Sequence, residues 1–245
     1  MKNLFILGTL FALSACAPIV KKGSTQTLQT PQTNSSNYRV VNQKHNDLLN
    51  KGKELVDKGD KKNAIIHYFN PVIKEYETTY ARSSKRIYTA RTQAEHDFYL
   101  MTANNEGKTA HVLSETWSRA YYLKAYTLLE LKELQLAEKN IKKALYLSPS
   151  NSKYLSELGR IQHLNKAWRK ALQSYQQAEK SANFFSPQSV KKQELLRAKR
   201  GVGYSYIELK EFRKAEAVYK EILNIDSRDR VALRELKYIR ELKKW

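Results

Sequence analysis

A single interval constrains this chain more than any other feature. Ala137, Ile141 and Ala144 are echoed 34 residues later by Ala171, Tyr175 and Ala178. A further copy stands at Ala215, Tyr219 and Ile222, and a weaker one at Ala64 and Tyr68. Small and large residues spaced four and three apart mark one face of a helix. A period near 34 marks a helix pair used repeatedly, each pair burying its apolar face against its neighbours. The expected fold is therefore an all-α solenoid of helix-turn-helix units, built to present surface rather than to enclose a reaction. Composition agrees. Only 8 glycines and 5 prolines occur in 245 residues, and Ala, Glu, Lys, Leu and Arg dominate beyond about Lys44.

The amino terminus follows other rules. Lys2 opens it with a charge, Leu4 to Leu13 is apolar, and Leu13-Ser14-Ala15-Cys16 closes it. An apolar run of about ten residues is too short to cross a bilayer of roughly 30 Å as a helix. Charge, apolar stretch and small residues in that order read as a secretory signal. Cys16 is the only cysteine, so no internal disulfide can form, and no metal-ligand spacing involves cysteine. Residues 1–15 resemble a bacterial lipoprotein signal, with Leu13 to Cys16 matching its lipobox. That resemblance implies lipidation of Cys16. Ala17 after the cysteine implies outer-membrane export, facing the periplasm, in a Gram-negative source. Residues 17–44, with Ser24-Thr25-Gln26-Thr27 and Thr33-Asn34-Ser35-Ser36-Asn37, are polar and aperiodic and read as a flexible tether. A chain of that length spans about 30 Å.

The folded part is expected over 45–245. The copy from Ser152 carries Leu155, Leu158-Gly159, Ala171, Tyr175 and Ala178; the copy from Ser118 carries Tyr121, Ala125, Leu128, Ala137, Ile141, Ala144 and Pro149. The copy from Leu196 carries Val202-Gly203, Tyr206, Ala215, Tyr219 and Ile222. These positions resemble the tetratricopeptide repeat, Trp-x2-Leu-Gly-x2-Tyr followed by Ala-x3-Phe, Ala and Pro. Clear repeats are thus placed near 118–151, 152–185 and 196–229, and a weaker one at 45–78. The small residues are expected where helix backbones approach, and the tyrosines between helix pairs. Gly59-Asp60 should turn the first pair, and Pro71 should kink or break its second helix. Residues 79–117 read as a degenerate repeat or a plain helical insertion, with Ile87, Ala90, Ala94, Phe98, Leu100 and Met101 on a helix. The spacing of 44 between Ser152 and Leu196 leaves an excess near Phe184-Phe185-Ser186-Pro187. Residues 230–245, with Leu233, Leu236 and Ile239, read as a capping helix.

The resemblance also nominates a partner groove along the first helix of each pair. Carried over position by position, it points to Arg119, Tyr122, Tyr126 and Leu129; to Lys153, Ser156, Arg160 and His163; and to Arg197, Arg200, Tyr204 and Ile207. Basic and aromatic residues together suit an acidic or extended peptide; the same residues could instead solvate the helices and pack internally. Tyr122 and Tyr126 replace the lysine and asparagine of carboxylate-clamp members, so that mode of capturing a free C-terminus is not implied.

Net charge is +20, which favours anionic partners. Export argues against nucleic acid, and none is expected. His45, His67, His96, His111 and His163 lack metal-ligand spacing, and no nucleophile elbow or phosphate loop occurs, so neither metal, cofactor nor enzyme activity is expected. The reading that follows is a membrane-anchored adaptor holding another envelope protein, in the manner of pilotins or scaffolds for cell-wall hydrolases. The alternative is a structural envelope protein that binds cell wall or anionic lipid directly through charge.

Overall fold

The computed structural model describes residues 35–242, with side chains from Asn42 onward. The signal, Cys16 and residues 17–34 lie outside the described residues. Helix α1 (Ser35–Asp57) already includes 35–44, which corrects the expected end of the tether. Asn42 explains part of that order, because its Oδ1 accepts from the Tyr76 hydroxyl at 2.7 Å.

The repeats appear as antiparallel helix pairs: α5 (Thr116–Glu130) with α6 (Leu134–Leu147), α7 (Ser152–Leu164) with α8 (Trp168–Phe185), and α9 (Gln188–Glu208) with α10 (Phe212–Ile225). Helix α11 (Arg230–Leu242) closes the array. Its buried seam is Ala232, Leu236 and Ile239, whereas Leu233 is exposed. Each pair turns through one left-handed residue, Lys132, Lys166 or Lys210, with φ of 64°, 56° and 60°. Gly59 takes that place in the first pair at φ 92°. The backbone bonds recur with it, as in Lys132 N to Leu129 O and Glu133 N to Leu128 O, so the turn closes the preceding helix each time.

At the repeat glycines the close neighbour is an aromatic ring rather than a helix backbone. A Cβ on Gly203 would lie 2.8 Å from the Tyr219 ring, and one on Gly159 would lie 2.8 Å from the Tyr175 ring. The first pair solves the same problem one residue out of step. Helix α2 (Lys61–Ala64) passes through a π turn (Ile65–Phe69) into α3 (Asn70–Tyr80). The extra residue of the π turn sets the Phe69 ring over Gly52, where an added Cβ would meet that ring at 2.6 Å and the Cβ of Tyr68 at 2.7 Å. Pro71 therefore does not break the helix. It sits in the first turn of α3, where the missing donor costs little.

Residues 79–117 are neither a degenerate repeat nor a plain helix. Strand β1 (Arg86–Ala90) leads through α4 (Gln93–Asn105) to strand β2 (Ala110–Ser114), which pairs parallel to β1 in the register Arg86 to Ala110. Ile87 and Ala90 thus belong to a strand, and the β1–β2 pair is the only sheet among the described residues. The second excess is taken up by helix length. With Asn183 where proline is usual, α8 runs on to Phe185, and α9 starts directly after Ser186-Pro187. The two departures meet in space. The Thr92 hydroxyl donates to the Phe185 carbonyl at 3.0 Å, the Phe98 and Phe185 rings lie 5.0 Å apart, and Arg91 bonds Glu194 at 2.7 Å.

Candidate functional site

The first helices of successive pairs lie side by side, α5 beside α7 and α7 beside α9. The expected groove residues share this face, but with unequal freedom. Leu129, Ile207 and Ser156 are buried and belong to the packing. Tyr122 is buried as well, its ring stacked on Tyr154 at 5.1 Å, and burial pushes its hydroxyl pKa up to about 12. Among the twelve, Tyr204 is the most open to solvent, 42 % exposed.

The cations divide into two sets. Toward the carboxyl end they are neutralised by acids of the same face. Glu157 is fully buried and takes Arg160 at 3.2 Å on one oxygen and Arg197 on the other. Arg160 also reaches Glu130 at 3.5 Å. Arg200 is held by Asp229, whose other oxygen accepts from the Ala232 backbone at 2.9 Å and so caps α11. Burial opposes ionisation of Asp229, yet the Arg200 hydrogen bond and backbone donors leave its pKa lowered. Glu157 and Asp229 were not singled out from the sequence. The Glu157–Arg160 spacing and the Asp229 cap were both visible there.

His163 does not act as a cation. Its ring lies among Tyr204, Tyr175 and Trp168 at 4.9, 5.1 and 5.7 Å, and its Nε2 bonds the Ser205 hydroxyl at 2.7 Å. Burial lowers its pKa to about 4. An NMR titration should therefore find its midpoint well below the ordinary value near 6.5. Because the folded pKa lies below the unfolded one, the fold should lose stability as pH falls from the unfolded value through about 4. A midpoint above 6 would contradict the packing described.

Toward the amino end the cations keep their charge. Among the described residues Arg119 bonds the amide oxygens of Asn46 and Asn50, at 3.3 and 2.7 Å. Lys153 lies over the Tyr122 ring at 4.5 Å, and burial lowers its pKa. With Tyr126, Val56 and Lys53 these residues line a pocket of about 360 Å³ between α1, α5 and α7. Among the described residues no cluster of His, Cys, Asp and Glu could hold a metal ion, and no helix is long and apolar enough to cross a membrane.

The comparisons agree with this architecture. The tetratricopeptide repeat model matches residues 118–151 and 201–229. The second span begins five residues inside the copy read from Leu196. Among solved structures, one titled for the functional characterization of Pseudomonas aeruginosa PilF aligns with a TM-score of 0.55 at 14 % identity, covering 82 % of this chain and 69 % of that one. The MamA RS-1 double mutant aligns with a TM-score of 0.53 at 13 % identity, covering 82 % and 85 %. At these identities the likeness is one of fold. A search of curated proteins finds no match. The chain thus carries tetratricopeptide repeats within a helical solenoid.

Proposed function

We propose that this protein is a membrane-anchored adaptor that holds an extended, acidic segment of another envelope protein in its groove. The observation that carries this reading is the Arg119–Lys153 pocket. It joins apolar walls to Arg119 and Lys153, neither of which has a direct ion-pair partner among the described residues; its one lining carboxylate, Asp57, is taken by Lys53 at 2.5 Å, so an incoming acid gains charge-assisted bonds without displacing an internal one. Repeats of this kind present such surfaces to extended peptides. Lipidation at Cys16 would supply the anchor, since several acyl chains hold a protein at a membrane where one is marginal.

The test is photo-crosslinking in cells from position 126, which lines the pocket. A discrete protein adduct should form and should fall about tenfold with Arg119→Glu, a loss of about 1.4 kcal/mol. Arg160 and Arg200 are poor sites for charge reversal, because each change would set a new carboxylate beside a buried one. No adduct, together with salt-sensitive sedimentation on purified cell wall or lipid, would instead support direct binding through charge. Separately, Cys16→Ser should move the protein out of the membrane fraction; full retention would sink the lipid anchor.

A further inference from the structure

A second pocket, of about 400 Å³, opens between α3, α5 and α6 and shares no lining residue with the groove pocket. Its walls are apolar: Trp117 and Tyr121 from α5, and Leu147 with the 65 % exposed Tyr146 from α6. The Trp117 ring is fixed by stacking on Tyr76 and Tyr80, at 5.5 and 5.8 Å. Its Nε1 is a buried donor that makes no hydrogen bond of good geometry, although it lies near enough to the Tyr121 hydroxyl to act on that group. Such donors are rare in folded proteins and costly when left unmade.

The rim is basic. Lys139, Lys142 and Lys143 fall on one side of α6 at the three- and four-residue spacing of a helix face. Two of them are partly neutralised, Lys142 by Glu138 at 2.6 Å and Lys143 by Glu77 at 3.1 Å. Lys139 has no ion-pair partner among the described residues. Neither has Lys124, half-buried on α5, whose pKa is lowered by burial and by the nearby Lys143 and Lys139 ammoniums against the opposing charge of Glu77. Glu77 is already engaged by the Tyr121 hydroxyl as well as by Lys143. Positive charge is thus crowded around an apolar hollow, with too few carboxylates to balance it.

We propose that this pocket is a second docking site, taking from a partner protein one bulky apolar side chain set among acidic residues. Aromatic walls with a charged rim are the usual anatomy of an interface anchor. The charge pattern favours a peptide over a bilayer. Glu77 and Glu138 stand in or beside the rim, and a flat anionic surface would meet them along with the lysines. A peptide can place its acids singly over Lys139 and Lys124 and avoid both. The groove and this pocket together would let the solenoid hold two segments at once, with the gain in effective concentration that such linkage brings.

The test uses the full chain, labelled at its tryptophan indole nitrogens, with the Trp117 signal assigned by Trp117→Phe. The probes are two blocked peptides, EEFEE and EEGEE, and vesicles of phosphatidylglycerol. EEFEE should shift the Trp117 indole signal saturably, and EEGEE should bind at least tenfold more weakly. Lys139→Glu with Lys142→Glu should weaken EEFEE at least tenfold, and Arg119→Glu should leave it within about twofold. Both lysines are exposed, so melting should be unchanged; Lys139→Gln with Lys142→Gln serves if it is not. The proposal is overturned by the absence of a saturable shift, by equal binding of EEGEE, or by indifference to both lysine pairs. A vesicle-induced shift without any response to EEFEE would overturn it in favour of a lipid surface.

Discussion

Gly201→Ala should lower the stability of the solenoid by about 3 kcal/mol, the upper range for forcing an extra methyl into a packed core. A Cβ at 201 would lie 2.3 Å from both Cδ1 and Cε1 of Tyr175. The ring cannot move aside, because its opposite edge already fills the space over Gly159, with a Cβ there 2.8 Å from Cε2. Tyr175 is therefore a wedge between α7 and α9, and it also touches His163 at 5.1 Å. At roughly 2–4 °C per kcal/mol for a chain of this size, melting followed by circular dichroism should fall by about 6–12 °C. Tyr175→Leu in the same chain should recover part of the loss, since the shorter side chain vacates the ring edge, and the two changes should couple by about 1 kcal/mol or more. A Gly201→Ala protein that melts with the native one would show that the wedge is not there.

Arg91→Met should cost a comparable amount, about 3–5 kcal/mol at neutral pH, through charge rather than volume. Arg91 is buried between two buried carboxylates, bonding Glu95 at 3.2 Å and Glu194 at 2.7 Å. Its backbone N–H also donates to Glu95 at 2.6 Å, and the Ser186 hydroxyl donates to Glu194. Burial raises the Glu95 pKa, and Arg91 holds that rise in check. A carboxyl with a raised folded pKa favours the fold when protonated, and that contribution is lost as pH climbs through the folded value. Without Arg91 the rise grows, so the deficit of the variant should shrink as pH falls toward the carboxylate range. Glu95→Gln with Glu194→Gln should reduce the deficit at neutral pH. Urea titrations at two pH values check both statements, and a deficit independent of pH would rule out the charge explanation.

The repeat core was legible because its determinants are local. Ala137, Ala171 and Ala215 lie at corresponding places in their helices, and each is fully buried. The first pair was legible only in outline. Nothing in the spacing of Ala64 and Tyr68 announced a π turn, which follows from packing Phe69 against Gly52. The βαβ insertion was missed although its signals were present. Thr92 and Glu95 stand three apart as a capping pair, and the Glu95 N–H does bond the Thr92 hydroxyl at 3.1 Å. That start for α4 leaves Ile87 to Ala90 outside the helix, in a run with strand character.

The groove was legible as a set of positions but not as an electrostatic surface. Arg160, Arg197 and Arg200 read alike in sequence, yet each is neutralised by an acid, and His163 is neutral for want of water. Pairs such as Arg197 with Glu157 are separated by 40 residues, beyond any local pattern. The helix period, the Gly59 turn and the buried face of each repeat could thus be read from the residues alone, because all three depend on residues within one or two turns of each other. Which cations remain free, where the two insertions meet and which pockets open were settled by packing between distant segments. Those outcomes depend on which distant side chain occupies the space beside each residue.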